Sequence, residues 1–435
     1  MKKTLALILA AVMALSLVAC AKTPANGGTE AKGSVYYLNF KPEADQAWQA
    51  LAKTYTEKTG VEVKVVTAAS GQYDTMLTSE LDKSAPPTMF QVGNQGAVNS
   101  YGDFCYPLDN TDVMKEMTTQ DFNLKNANGE TVSIGYCYEA YGIIVNKALL
   151  KQAGYELSDI TNFESLKKVA DDIHSRAAEL GFDAFSSAGL EGSSSWRFSG
   201  HLANMPLFYE FRDDKVTAQP AAIKGTYLDA FKNVWDLYTT DSATTGAALT
   251  TATGDASEAE FGQGKAVFFQ NGSWEYANLV TSDDKGFKMN PEDLAMIPIY
   301  CGVDGEEKAG LCAGTENCWA INNESSEEDI QATIDFLVWV VTSDEGTTML
   351  AEEFGPCPFK DAKDPENVFF QDANEYTAEG NYVVTWAFNW TPAVDDWRAA
   401  VVDALTQYTA GTGDWSAVET AFVQGWATQY AKENA

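Results

Sequence analysis

The run Asn271-Gly272-Ser273-Trp274 follows directly on an apolar stretch, Ala266 to Gln270. A tryptophan at the end of a strand offers a broad apolar face, and here an amide and a hydroxyl stand beside it. That equipment holds a ligand rather than breaking a bond. The chain carries eleven tryptophans and 62 acidic residues, so flat faces and hydrogen-bonding carboxylates are both plentiful. The combination suits a ligand whose surface alternates hydroxyls with C–H patches. Bond-making signatures are missing: there is no Gly-x-Ser-x-Gly elbow, phosphate loop or zinc pattern. Two histidines, His174 and His201, leave little room for a metal site or a proton relay. A glycoside hydrolase would need two carboxyls roughly 5 to 10 Å apart. So acidic a chain supplies such pairs everywhere, yet no segment matches a hydrolase. The expectation is a binding protein without cofactor or metal, not an enzyme.

The elements that must position these residues alternate helix and strand. Val35 to Phe40 reads as a strand, and the next helix carries Trp48, Leu51, Ala52 and Tyr55 on one face and stops at Gly60. Val61 to Val66 alternates as a second strand, which gives a βαβ unit and a parallel sheet. Thr88 to Val92 follows the Pro86-Pro87 break. A second series begins with a strand, Gly142 to Val145, and a short helix, Lys147 to Ala153. Thr161-x-x-Glu164 and Ser325-x-x-Glu328 read as capping boxes of further helices, and Val394 to Tyr408 as the final helix. About 400 residues of soluble body exceed what one core holds, so two α/β lobes are expected.

The N-terminus has its own logic. Lys2 and Lys3 precede an uncharged apolar run, Leu5 to Leu17, too short for a permanent membrane span and suited to a secretory signal over residues 1–19. It ends in Leu17-Val18-Ala19-Cys20, which resembles the bacterial lipobox, so Cys20 is the expected lipidated first residue of the mature chain. Residues 20–33 then form a tether without apolar periodicity. A formal charge of −33 argues against nucleic acid as a partner. Six further cysteines include no Cys-x-x-Cys pair. Disulfides, with Cys301 and Cys312 flanking a turn at Asp304-Gly305, and free buried thiols are equally good readings.

Several segments line up with one family. Thr59-Gly60-Val61-x-Val63, Tyr141-Gly142-Ile143-Ile144-Val145-Asn146-Lys147, Phe261-Gly262-Gln263-Gly264-Lys265-Ala266, Asn271-Gly272-Ser273-Trp274, Ile297-Pro298 and Trp319-Ala320-Ile321 occur in order along nearly the whole mature chain. Together they resemble the carbohydrate-type (family 1) extracellular solute-binding proteins of ABC importers. The resemblance implies the type II periplasmic-binding-protein fold, with a hinge and a ligand cleft between the lobes. It puts the N-lobe at 34–139 and 302–353 and the C-lobe at 146–298 and 359–435. It further implies a monomer, anchored outside the cytoplasm by its lipid, that binds a sugar or oligosaccharide and delivers it to permease subunits. The same fold binding a polyamine or another small solute is the alternative.

The resemblance also selects site residues. Trp274 matches the family's sugar-stacking tryptophan, and Glu139 a cleft-facing glutamate at the hinge, with Tyr138 and Tyr141 as neighbours. Trp196 and Arg197 follow Gly192-Ser-Ser-Ser at a loop that places an aromatic over the ligand. Asn94 and Gln95 stand where relatives carry a cleft acid. Asn39 and Phe40 end the first strand, and Tyr73 precedes a helix. Trp390, in an irregular segment before Pro392, is a cleft candidate, whereas Trp397 shares an apolar stripe with Val401 and Leu405 and belongs in the core.

Overall fold

The computed structural model of the chain describes residues 32–434. The signal segment, Cys20 and all but the end of the tether lie outside the described residues. The body is built on two mixed sheets flanked by helices. In the first, β1 (Ser34–Asn39) lies parallel to β2 (Glu62–Thr67) and β3 (Met89–Gln91). The hairpin partners β4 (Leu124–Lys125) and β5 (Thr131–Gly135) sit at the far edge. The helix Asp45–Thr59 packs Trp48, Leu51, Ala52 and Tyr55 onto this sheet and ends at Gly60, whose left-handed conformation (φ 74°) suits glycine.

The second sheet centres on β6 (Glu139–Asn146), buried along its whole length. Around it lie β7 (Asp183–Phe185), β8 (Ala266–Gly272), β9 (Leu294–Ile297) and β10 (Ala309–Gly314). The return strand β11 (Cys318–Ile321) inserts between β3 and β5 of the first sheet, antiparallel to both, and β12 (Tyr382–Thr385) closes the edge of the second beside β10. Both lobes are therefore α/β, each with its own apolar clusters.

Three segments carry the chain between the sheets, and none falls where the lobe bounds suggested by the sequence put it. Residues 136–138 join β5 to β6, ahead of the expected 140–145, which lie within β6. The return does not occur at 299–301, because β10 hydrogen-bonds to β6 and β12, so residues 309–314 belong with the second sheet and the crossing is 315–317. The last crossing follows residue 363: Phe359 packs in the core of the first sheet and bridges Met117, and Lys360 N donates to Glu116 O.

Two caps are displaced by one residue. Asn162, not Thr161, caps the helix Phe163–Ser175, exchanging hydrogen bonds with Ser165, and Ser326, not Ser325, caps Glu327–Thr342. Helix Val394–Thr409 is not the last, since Trp415–Glu433 follows it and packs against it. All six described cysteines are free thiols, five of them buried. Among the described residues no helix is long and apolar enough to cross a membrane.

Gly142 shows how tightly the second sheet is built. A Cβ there would stand 2.3 Å from the Ile297 carbonyl oxygen, in the close approach of β6 and β9. Gly142→Ala is expected to cost about 2 to 3 kcal/mol in urea melts.

Candidate functional site

The two lobes enclose a cleft of about 1620 Å³, lined by the ends of β1, β3 and β8 and by the helix starts beyond them. Its walls touch at the rim, where Ser70 Oγ donates to the Ser193 carbonyl at 2.9 Å.

At the base, β1 ends in Phe40 and the chain turns. Asn39 makes this turn: its side chain donates to the Lys41 carbonyl (2.7 Å) and accepts from the Lys41 N–H (3.1 Å). The turn carries the Lys41 ammonium to Glu139 Oε1 at 2.8 Å, while Asn317 Nδ2 donates to Glu139 Oε2 at 2.7 Å. Glu139 is 4 % exposed and Lys41 9 %. Burial works against the lysine charge, but Glu139 and Glu43 outweigh it and hold the ammonium protonated well above its ordinary range. Lys41 also lies 5.1 Å from the centre of the Trp274 ring, so it links the first lobe to the second.

Trp274 lies half-buried over Gly272, where a Cβ would come within 2.2 Å of the ring. Its Nε1 donates to Asn271 Oδ1 at 2.9 Å, and Asn271 Nδ2 donates to Glu275 Oε1 at 2.8 Å. One amide thus sets both the ring and a buried carboxyl. Burial and the nearby Glu258 charge push the Glu275 carboxyl up to about 8. Trp196 stands 5.9 Å from Trp274, ring to ring. Beneath them His201 stacks on Tyr141 at 3.9 Å, and burial with the surrounding cations keeps its imidazole neutral. Arg197 is 1 % exposed, and neither of its terminal nitrogens has a hydrogen-bond partner.

Of the residues singled out in the sequence, Trp274, Glu139, Trp196, Arg197, Phe40, Tyr73 and Asn94 line this cleft. Asn94 spends its side-chain oxygen on the Ala97 N–H as a helix cap, and the Tyr73 hydroxyl is tied to the Gln91 backbone. The others lie elsewhere. Asn39 is fully buried and acts through the turn. Tyr141 is fully buried below His201. Tyr138 packs on Phe122, Gln95 points to the Lys125 carbonyl, and Trp390 stacks on Phe211. The short helix Ala387–Trp390 explains the last case, because it turns Trp390 away and leaves Trp386 on the cleft. Lys41, Glu275, Glu258, Gln91 and Trp386 line the cleft without having been singled out. Lys41 and Glu275 were within reach, as each directly follows a residue already placed at a strand end.

A cleft between two α/β lobes joined by three crossings, lined with aromatic faces and fixed polar groups, defines a solute-binding protein. The chain belongs to the bacterial extracellular solute-binding protein family, whose model matches residues 50–378. No curated protein shows a significant sequence match. Among solved structures, the solute-binding protein RafE in complex with raffinose is similar at 15 % identity and TM-score 0.70, covering 92 % of this chain and all of that one. A sugar transporter protein from Bacillus licheniformis in complex with stachyose is similar at 15 % identity and TM-score 0.67, over 91 % of this chain and all of its own. A binding protein of an ABC transporter from Bifidobacterium animalis subsp. lactis in complex with mannobiose gives 16 % and 0.65, over 92 % of this chain and 94 % of its own. At these identities the likeness establishes the two-lobed fold.

Two expectations follow from the charges. Glu139→Gln leaves the Lys41 ammonium buried with only Glu43, 3.6 Å away, as a carboxylate partner, so urea melts near pH 7 should show a loss of about 3 kcal/mol. Glu275 has a folded-state pKa above its unfolded value, so the folded chain binds more protons between pH 4.5 and 8. Its contribution to stability therefore falls as pH rises through that window. Glu275→Gln should flatten this part of the stability–pH curve, and melts at pH 5 and 8 on both proteins check it.

Proposed function

We propose that this protein is an extracytoplasmic lipoprotein that captures an oligosaccharide in the interlobe cleft and delivers it to the permease of an ABC importer. The observation that carries the reading is the Trp274 ring. It is supported on one side by Gly272, half open to the cleft, and held by an amide that also fixes a carboxyl. A flat apolar face beside paired hydrogen-bonding groups matches the alternating C–H and hydroxyl surface of a sugar ring. Cleft size favours several rings over one, since about 1620 Å³ exceeds the roughly 300–1,000 Å³ usual for small-molecule sites. The raffinose, stachyose and mannobiose held by proteins of this fold point the same way. In this reading the protein acts by binding and closure. Closure of the lobes on a ligand gives the permease a shape to recognise.

A thermal-shift screen against oligosaccharides, followed by calorimetric titration, tests the reading. Trp274→Ala is expected to cost about 1.5 to 3 kcal/mol of binding to the saccharide found. Its stability loss should stay below the roughly 3 to 5 kcal/mol of a fully buried tryptophan. Trp274→Phe should recover part of the affinity. A large stability loss with unchanged affinity would remove Trp274 from the site. For the anchor, Cys20→Ser should release the protein from the membrane without altering affinity. Retention of the variant at the wild-type level would contradict lipidation.

A further inference from the structure

The Arg197 side chain is 1 % exposed, yet neither of its terminal nitrogens has a hydrogen-bond partner among the described residues. Its Nε–H reaches the Ser194 carbonyl at 3.4 Å, and the Phe198 and Phe269 ring centres lie 5.4 and 5.7 Å from the guanidinium carbon. The stem is held while the fork stays free. A guanidinium kept out of water without an acceptor costs folding free energy. That cost is recovered when a ligand supplies the acceptor.

The fork faces the start of a helix. Gly254 opens the nine-residue helix Gly254–Gly262, and a Cβ on it would stand 3.8 Å from Arg197 Nη2 and 2.9 Å from Ser194 Cβ. Thr253 Oγ1 accepts from the Ala256 N–H at 3.1 Å. The N–H groups of Gly254 and Asp255 have no acceptor within the helix, and the dipole at this end favours negative charge. Arg197, Ser194, Thr253, Gly254 and Asp255 all line the cleft.

The cleft as a whole is acidic, with fourteen Asp or Glu and four Lys or Arg among its lining residues. Salt screens exposed charges beyond about 8 Å at physiological ionic strength, whereas a charge out of water acts nearly unscreened on what touches it. The carboxyls on this wall are also quiet. Glu258 is paired with Lys285 at 3.0 Å, and Asp255 is exposed to water. Glu275, pushed up to about 8 by burial and by Glu258, keeps its proton near neutral pH although Arg197 pulls the other way.

We propose that the solute is an acidic saccharide whose carboxylate sits between the Arg197 fork and the N-terminus of the helix Gly254–Gly262, with a sugar ring on Trp274. This rests on the oligosaccharide reading of the cleft. Two carboxylate oxygens match the two free nitrogens of the fork in a charge-assisted pair that neutral hydroxyls do not equal. Glu275, next to Trp274 in the chain, feels the Arg197 charge, so ring face and fork border the same part of the wall.

The test is calorimetric titration near pH 7 with the disaccharides of galacturonic acid and of glucuronic acid, each against its methyl ester, which keeps the skeleton and removes the charge. The expected result is at least about tenfold tighter binding of one acid than of its ester. R197M should bring the two affinities together, and R197K should keep part of the preference. Because the fork has no partner in the empty protein, R197M should melt no lower than the wild type by circular dichroism. Binding of neutral saccharides with no preference for either acid overturns the carboxylate seat and leaves the oligosaccharide reading standing. A preference that survives in R197M, or a marked loss of stability in that variant, also overturns it. Failure of every saccharide, acidic or neutral, to bind the wild type overturns both.

Discussion

The Lys41–Glu139 ion pair is the contact on which the arrangement of the cleft depends. Glu139 opens β6 at the point where the chain leaves the first sheet, and Lys41 stands where β1 ends in that sheet. Asn317, in the return crossing, completes the carboxylate's partners and accepts from the Tyr136 hydroxyl at 3.2 Å. One buried carboxylate therefore ties together a strand end and two of the three crossings. Charges so placed are favourable only as a set, because the loss of one member strands the others away from water. The hinge region joins this polar cluster to apolar packing, since Tyr136 and Cys137 of the first crossing belong to the core of the first sheet and Tyr136 stacks on Trp319.

The cleft wall grows from that base by short steps. Lys41 reaches Trp274, Trp274 rests on Gly272 and bonds Asn271, and Asn271 holds Glu275. Each member has a neighbour that fixes its orientation, so this face of the cleft is ordered in advance. Such preorganisation limits the ordering cost of binding. His201, neutral and stacked on Tyr141, forms the floor under the aromatic pair without adding charge.

Much of this was legible in the sequence, and the failures have physical causes. The βαβ opening, the strand Ala266–Gln270 and its terminal Trp274 follow from periodicity and from the family pattern. Strand-to-sheet assignment did not follow: β10 and β11 are separated by three residues yet pair in different sheets, and no local signal distinguishes them. Side-chain direction was equally hidden. Tyr138, Glu139 and Tyr141 are neighbours in sequence, but the crossing sends Tyr138 to Phe122, Glu139 to the cleft base and Tyr141 into the core. Trp390 was the expected cleft residue, but the short helix Ala387–Trp390 turns it onto Phe211 and leaves Trp386 on the cleft. The caps at Asn162 and Ser326 show the same limit, since adjacent Thr-Asn and Ser-Ser pairs offer two candidates and backbone geometry chooses one.

The central claim is that the cleft holds its solute on the face of Trp274. A crystal structure with a saccharide that shifts the melting temperature tests it most directly. The account predicts a sugar ring packed on the open face of Trp274, with hydroxyl groups within hydrogen-bond reach of Glu275, while the Lys41–Glu139–Asn317 cluster stays intact. A saccharide bound outside the cleft, or inside it with Trp274 turned away, would contradict the account.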